Sequence, residues 1–151
     1  MEQNLAFVCN DVARLFRKRF AEAARNVGGT GPQWRVLLAL QKYPGINQGA
    51  LAEHLDVEPI SACRMIDRLE QAGLVERRRD PSDRRVWQLF LTESADPVVR
   101  ELHLIGASML EQATSALAPE EIERLFAYLA RVRETLIMPE EQQTTSEASN
   151  G

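Results

Sequence analysis

The chain has 151 residues, of which 44% are hydrophobic and 26% charged, and this size and composition are typical of a globular protein with a buried core. No apolar run approaches the roughly 18 residues that a membrane span needs, and the charges near the N-terminus follow the apolar residues instead of preceding them as in a secretory signal. The two cysteines, Cys9 and Cys63, lack the spacing of a disulfide framework or a metal site, so we expect a cytoplasmic protein with no membrane partner, no metal and no cofactor.

The net charge of -4 is unevenly distributed along the chain. Residues 1–30 carry a net charge of +2, residues 31–92 carry +1, and residues 93–151 carry -7. Because the acidity is confined to the last third, the low overall isoelectric point does not argue against a polyanionic partner.

Apolar residues at helical spacing predict four helices in the first 72 residues. Their starts and stops are marked by prolines, by glycines and by Asn47 as a helix cap. They run from Leu5 to Val27, from Thr30-Gly31-Pro32 to Pro44-Gly45, from Gln48 to Leu55, and from Pro59 to Ala72. Gly73 is predicted to close the fourth helix as a left-handed cap.

A β-hairpin is predicted directly after the fourth helix. Its strands run from Leu74 to Arg79 and from Val86 to Thr92, where apolar residues alternate with a period of two. The turn lies in the stretch RRRDPSDRR, in which Asp80 and Asp83 interrupt five arginines. Aspartates would be counterproductive if charge density alone mattered, so we interpret them as turn formers and as clamps that orient a guanidinium.

Two long helices are predicted in the last third of the chain. They run from Pro97 to Leu117 and from Pro119 to Pro139, and the polar residues 139–151 are predicted to be a disordered tail. The fold class is therefore mainly α with a small β-hairpin wing. A short helix, a tight turn, a second helix and a basic hairpin follow the order of a winged helix-turn-helix, which places a helix in the major groove of DNA and a basic loop in the minor groove.

The run LAEHLDVEPISACRMIDRLEQAGLVERRRDPSDRRVWQLFLT closely resembles the MarR family of bacterial transcription regulators. The matching features are Leu-Ala-Glu at 51–53, Asp-Arg-Leu-Glu at 67–70, Gly-Leu-Val at 73–75, Arg77, and Asp-Pro-Ser-Asp-Arg-Arg at 80–85 before Leu91-Thr92. The Pro32-Gln33-Trp34 start of the second helix also fits. The resemblance is specific over about residues 30–92 and is one of architecture over the rest of the chain.

The resemblance implies a homodimeric transcriptional repressor that binds a pseudo-palindromic double-stranded DNA operator. Residues 30–92 would form the winged DNA-binding lobe, and residues 1–29 and 93–138 would form a helical dimerisation region. The fourth helix would be the recognition helix, and Arg85, next to Asp83, would enter the minor groove. The expected DNA-binding residues are Asn47, Gln48, Pro59, Ile60, Ser61, Arg64, Arg68, Asp83, Arg84 and Arg85.

Five of these residues also have an interpretation without DNA. Arg64 and Arg68 could pair with Asp67 or Glu70 on their own helix. Ser61 could be only a first-turn hydroxyl. Asn47 and Gln48 could cap a helix instead of holding a phosphate.

The resemblance also implies a cleft for a small aromatic effector near Trp34. Arg14 and Arg17 on the first helix could pair with its carboxylate, and Leu38 would line the same cleft. The competing interpretation places Trp34 in the core and leaves both arginines as surface charges.

Two other functions stay open from the sequence. Cys9 lies in the first helix, where peroxide-sensing members of the family keep a reactive cysteine, and Cys63 occupies a position where many members carry threonine. Either cysteine could make the chain a redox-sensing regulator. A dimeric protein-interaction module that does not bind DNA is the alternative from a different class. No nucleophile motif is present, so an enzyme is not expected.

Overall fold

The structure is a computed structural model that describes residues 4–138. The predicted tail, residues 139–151, lies outside the described residues. The chain divides into two compact units, one up to Met109 and one from Leu110 onward. The described part is mainly helical and carries a two-stranded antiparallel hairpin, which confirms the predicted fold class.

The helices and strands follow the predicted order with small shifts at their ends. They are α1 (Leu5–Ala23), α2 (Gly31–Lys42), α3 (Gln48–Leu55), α4 (Pro59–Gln71), β1 (Val75–Arg79), β2 (Trp87–Leu91), α5 (Asp96–Ala113) and α6 (Pro119–Ile137). A single 3-10 turn, Glu93–Ala95, connects β2 to α5.

Two helix ends were predicted wrongly. The first helix stops at Ala23 instead of Val27, because the chain turns there and the Val27 amide bonds to the Ala24 carbonyl. The helix α5 stops at Ala113 instead of Leu117, where the Leu117 amide likewise closes a turn on Thr114. Apolar spacing continues through both turns, and spacing alone cannot show where helical hydrogen bonding ends.

Side-chain caps fix the helices that precede the hairpin. Thr30 and Gln33 form a reciprocal capping box at the start of α2. The Asn47 side chain accepts a 2.8 Å hydrogen bond from the Ala50 amide and so caps α3. Gly73, with φ of +74°, ends α4 as predicted, and the Leu74 amide returns to the Leu69 carbonyl.

A third extended segment, which the sequence analysis missed, lies beside β2. The Gly45 amide donates to the Leu89 carbonyl at 2.9 Å, and the Leu89 amide donates to the Ile46 carbonyl at 3.1 Å. Asn47 continues this pairing as an isolated bridge to Gln88. The hairpin is therefore tied to the start of α3 as well as to the end of α4.

The core of the first unit is built from α2, α3, α4, the hairpin and the start of α5. Its largest fully buried side chains are Leu37, Leu40, Leu51, Ile66, Leu89, Leu102, Val36 and Val75. Trp34 is 6% exposed and belongs to this core, so the structure supports the core interpretation of its ring.

The helices α1 and α6 bury none of their residues in the protomer. On α1, Leu5, Phe7 and Val8 are exposed, and Phe7 is 74% exposed. On α6, by itself, the exposed apolar side chains are Leu125, Phe126, Tyr128, Leu129, Val132, Leu136 and Ile137. Phe16 and Phe20 of α1 are half-buried, and Phe20 packs against the core, but the side chains named above stay uncovered within the described chain.

Candidate nucleic-acid interface

The helix α4 has one buried face and one face open to solvent. Ala62, Ile66 and Leu69 are buried against the core. The opposite face exposes Ile60, Ser61, Arg64 and Arg68, and Pro59 is exposed at the start of the helix. The helical period therefore gathers four of the expected DNA-binding side chains on one accessible surface.

Neither Arg64 nor Arg68 forms an ion pair within the described residues. The alternative that they pair with Asp67 or Glu70 is wrong in the protomer, because both carboxylates bind Arg77 instead. The guanidinium groups of Arg64 and Arg68 therefore remain available for a ligand.

Arg77 lies on β1, and its side chain joins the hairpin to α4 and α3. Its guanidinium bonds to the Asp67 carboxylate at 2.6 Å and to the Glu70 carboxylate at 2.9 Å. Its Nε donates to the Gln48 side chain at 3.4 Å, and its backbone amide donates to Glu70 at 3.2 Å. Burial lowers the pKa of Arg77, but the hydrogen bond to Asp67 and the two negative charges outweigh it, so the pKa lies above its ordinary value.

The tip of the hairpin is shaped by its two aspartates, as the sequence predicts. The Asp80 carboxylate accepts hydrogen bonds from the Ser82 and Asp83 amides at 2.7 and 3.1 Å. One Asp83 oxygen accepts from the backbone amide of Arg85 at 3.0 Å and from its Nε at 3.2 Å, and the second oxygen lies 3.4 Å from a terminal nitrogen.

This Asp83–Arg85 clamp leaves the guanidinium facing solvent, with 91% of the Arg85 side chain exposed. The side-chain and backbone hydrogen bonds from Arg85 hold the pKa of Asp83 below its usual range. An exposed cation held in one orientation suits insertion into a narrow groove of negative potential.

The other three arginines of RRRDPSDRR differ in their surroundings. Arg78 pairs with Glu76 and lies 4.3 Å from the Phe90 ring centre. Arg79 stacks 3.9 Å from the Trp87 ring centre and donates to the Arg84 carbonyl. The Arg84 guanidinium has no ion pair within the part of the chain that the structure describes.

The start of α3 lies beside the hairpin tip. A surface pocket of about 370 Å³ is lined by Asn47, Gln48, Gly49, Arg85, Val86 and Trp87. The structure thus brings Asn47, Gln48 and Arg85, three of the expected DNA-binding residues, to one surface. The side-chain oxygens of Asn47 and Gln48 accept hydrogen bonds from the Ala50 amide and from Arg77, and these bonds do not engage the NH2 donors of the two side chains.

A second pocket, of about 390 Å³, lies within the first unit near Trp34. It is lined by Phe16, Arg17, Phe20, Gly31, Pro32, Trp34, Arg35, Leu38 and Met109. Arg17, Trp34 and Leu38 of the predicted effector cleft are therefore together. Arg14 does not line this pocket and instead pairs with Asp11 at 2.6 Å.

Within the pocket, polar donors are few. The Trp34 indole donates to the Gly28 carbonyl at 2.7 Å, which fixes the ring against the turn after α1. Arg35 donates to the Leu55 carbonyl at 2.9 Å and keeps further donors. Sequence reasoning missed Arg35, although its position next to Trp34 on α2 was a usable signal.

The two cysteines lie on different helices, and the structure assigns neither of them to a reactive site. Cys9 is exposed on α1, and Cys63 is half-buried on α4, 3.9 Å from Asp67 and 4.0 Å from Arg77. Among residues 4–138, no cluster of histidine, cysteine, aspartate or glutamate could hold a metal ion. No helix in that range is long and apolar enough to span a membrane.

The fold and this interface define a class of protein, the winged helix-turn-helix proteins. A family model described as the MarR family matches residues 30–87. Over these residues the chain is similar to the MarR family of transcription regulators.

Solved structures agree with this assignment. Wild-type MarR from E. coli, in its apo form, is 26% identical with a TM-score of 0.78, over 87% of this chain and 98% of that one. The transcriptional repressor CouR, bound to a 23-mer DNA duplex, is 28% identical with a TM-score of 0.74, over 86% of this chain and 92% of CouR. The PcaV regulator from Streptomyces coelicolor, in complex with its natural ligand, is 28% identical with a TM-score of 0.64, over 89% and 97%.

Proposed function

We propose that this chain is a cytoplasmic homodimeric repressor that binds a pseudo-palindromic operator in double-stranded DNA. The observation that carries the proposal is the pairing of two exposed basic elements on one lobe. The recognition helix α4 presents Arg64 and Arg68, which form no ion pair within residues 4–138, and the hairpin tip presents Arg85, which Asp83 orients.

The two elements have separate tasks in this proposal. The exposed face of α4 enters the major groove, where Arg64 and Arg68 hydrogen-bond to base edges or phosphates and Ser61 supplies a hydroxyl. Arg85 enters the adjacent minor groove, while Arg84 lies nearer the phosphates. The backbone amides at the start of α3 bind a phosphate between them.

Dimerisation is supported by the uncovered apolar side chains of α1 and, separately, of α6. A soluble monomer rarely exposes contiguous apolar surface of this kind, so a second copy of the chain is the expected partner. A two-fold dimer carries two winged lobes, and two equivalent half-sites then follow from its symmetry.

The proposal is tested by footprinting the full-length protein on the DNA upstream of its own gene. We expect two protected half-sites about 10 base pairs apart from centre to centre, on one face of the duplex. A random duplex of the same length is the control and should bind far more weakly at physiological salt. Binding to neither duplex at low salt would contradict the proposal and favour the alternative of a protein-interaction module.

A small aromatic carboxylate is proposed as the effector that releases the DNA. The pocket near Trp34 supports this, because it is mostly apolar and places Arg17 at its wall. We expect aromatic acids to quench Trp34 fluorescence and to weaken operator binding together. Since coupling is reciprocal, operator DNA should weaken effector binding by the same factor.

In a Trp87→Phe variant the tryptophan fluorescence reports on Trp34 alone, because Trp34 is then the one tryptophan of the chain. Arg17→Met should weaken acid binding, whereas Arg14→Met should not, since Arg14 lies outside the pocket lining. Equal responses of both variants would remove Arg17 from the effector site.

A further inference from the structure

We propose that Arg77 is a positioning residue that fixes the hairpin against α4 and α3, so that the DNA-facing arginines of the hairpin and the recognition helix keep one spacing. The inference rests on the proposed function, because it assigns a DNA-binding consequence to a residue that does not itself face DNA.

The contacts of Arg77 join three separate elements. Its side chain is only 14% exposed, the least among the ion-paired arginines of the described chain. From β1 it reaches Asp67 and Glu70 on α4 and Gln48 at the start of α3. Glu70 also accepts the Arg77 backbone amide, so the strand is held at its main chain as well as at its side chain.

These contacts use the planar, forked arrangement of N–H donors on the guanidinium group. Nε, NH1 and NH2 each bond to a different residue, and NH2 also lies 4.0 Å from the Cys63 sulfur. A lysine ammonium cannot reach three partners in this planar arrangement. Each nitrogen of Arg77 is engaged by a protein group and only 14% of the side chain is exposed, so we expect Arg77 to act on DNA binding through the residues that it positions.

The partners of Arg77 are adjacent to the recognition surface. Asp67 and Glu70 lie on the helix that presents Arg64 and Arg68, and Gln48 lines the pocket that also contains Arg85. Without Arg77, two carboxylates one helical turn apart would face each other unneutralised. The hairpin would then lose its electrostatic attachment to α4 but keep its apolar contacts and the pairing with Gly45, Ile46 and Asn47.

Whether Arg77 holds the hairpin in place is tested without DNA. Amide hydrogen exchange is measured on the full-length protein for peptides covering residues 75–91. Arg77→Met should speed exchange there by about tenfold, while Arg78→Met, which removes the same charge from the adjacent position, should match the wild type. Unchanged exchange in Arg77→Met would overturn the proposal.

The functional part is tested by a double-mutant cycle on DNA affinity. Arg77 and Arg85 share no hydrogen bond or ion pair within residues 4–138. If Arg77 positions Arg85, then Arg85→Ala should cost at least about threefold less affinity in the Arg77→Met background than in the wild type. If the fold-losses of DNA affinity in the two single variants simply multiply in the double variant, Arg77 only adds stability. That result would overturn the positioning role.

Two further variants keep the result interpretable. Arg77→Lys preserves the charge but not the fork, so its exchange rates and affinity should lie nearer to Arg77→Met than to wild type. If Arg77→Met does not fold, Asp67→Asn with Glu70→Gln removes the same ion pairs, and the cycle with Arg85→Ala is run in that background. If Arg85→Ala leaves wild-type affinity unchanged, the proposed function fails, while the exchange measurement still decides how Arg77 holds the hairpin.

Discussion

At the residue scale, five arginines in nine positions of an acidic chain have different surroundings. Arg77 is enclosed by carboxylates, and Arg78 and Arg79 lie over aromatic rings. Only Arg84 and Arg85 extend from the tip, and Arg85 is oriented by Asp83. The aspartates within the stretch therefore shape and aim the positive charge more than they dilute it.

Arg64 should determine base preference. Arg64→Ala is expected to weaken operator binding by about 1–3 kcal/mol and to relax preference at particular base pairs, because a bidentate contact to a base edge is lost. Binding to random duplex should change much less. The measurement is a titration against operators carrying each single base-pair change, with Arg100→Ala on α5 as the charge-matched control.

A uniform loss of affinity across all operator variants would contradict the base contact. It would place Arg64 on the phosphate backbone instead, where a contact strengthens binding to every sequence.

The Asp83–Arg85 clamp should persist to acid pH. Because the folded pKa of Asp83 lies below its ordinary value of 3.8, the stabilisation is fully present above that value and is lost as the pH falls through the folded pKa. The conformation of the hairpin tip should therefore be constant between about pH 5 and pH 8. Titration of the Asp83 carboxyl by NMR measures this directly.

Arg85→Ala provides the control for that titration, since it removes the side-chain donors, the largest cause of the lowered pKa, and keeps the backbone amide at position 85. In this variant the Asp83 pKa should rise toward its ordinary value. An Asp83 carboxyl that titrates identically in both proteins would show that the clamp is absent in solution.

At the element scale, the sequence predicted each helix and both strands, because caps, prolines and periodicity are local signals. Gln48–Leu55 was predicted with the bounds that the structure has. The pairing of Gly45 and Ile46 with Leu89 was missed, since two residues carry no periodicity and their partner lies about 40 positions away. The Arg77 network was missed for the same reason, because nothing local connects position 77 to Gln48 or Asp67.

The candidate site shows the same difference between what local sequence signals predict and what depends on contacts between distant residues. The exposed face of α4 was predictable from its helical period. Whether Asp67 and Glu70 neutralise Arg64 and Arg68 or another cation depended on tertiary structure, and the structure assigns them to Arg77.

Gly45 should be essential to the attachment of β2. Its φ of +83° suits glycine, and an added Cβ would lie 3.2 Å from the Phe90 ring. Gly45→Ala should lower the free energy of unfolding by about 1–2 kcal/mol. Gly31→Ala is the control, because a Cβ there meets no atom within 4 Å.

Chemical denaturation at one fixed protein concentration compares the two variants, since a dimer's stability depends on concentration. Equal stability of Gly45→Ala and wild type would mean that the Gly45–Leu89 pairing is not formed.

At the scale of the whole molecule, the proposed dimer would cover apolar side chains that α1 and, separately, α6 leave exposed. We expect Leu129→Glu on α6 to give a monomer, because a buried charge at a subunit interface is left without a partner. Ala127→Glu introduces the same side chain two positions earlier, about 200° around the helix. It should leave the dimer intact.

Analytical ultracentrifugation separates these outcomes, and circular dichroism confirms that both variants fold. Leu129 is already 41% exposed in the protomer, so its substitution should not disturb the core. A Leu129→Glu protein that remains dimeric would exclude this face of α6 from the interface.

The Arg85→Ala variant tests whether the hairpin tip and α4 of each subunit bind DNA together. Operator and random duplexes, with A·T-rich or G·C-rich flanks, are titrated at several salt concentrations against wild type, Arg85→Ala and Arg100→Ala. Arg85→Ala should weaken binding to every duplex, most with A·T-rich flanks, and should make the salt slope shallower by about 2 per dimer, one for each arginine lost. Arg100→Ala should behave like wild type. Unchanged affinity and salt slope in Arg85→Ala would contradict the account, because the arginines at the hairpin tip would then be surface charge without a DNA partner.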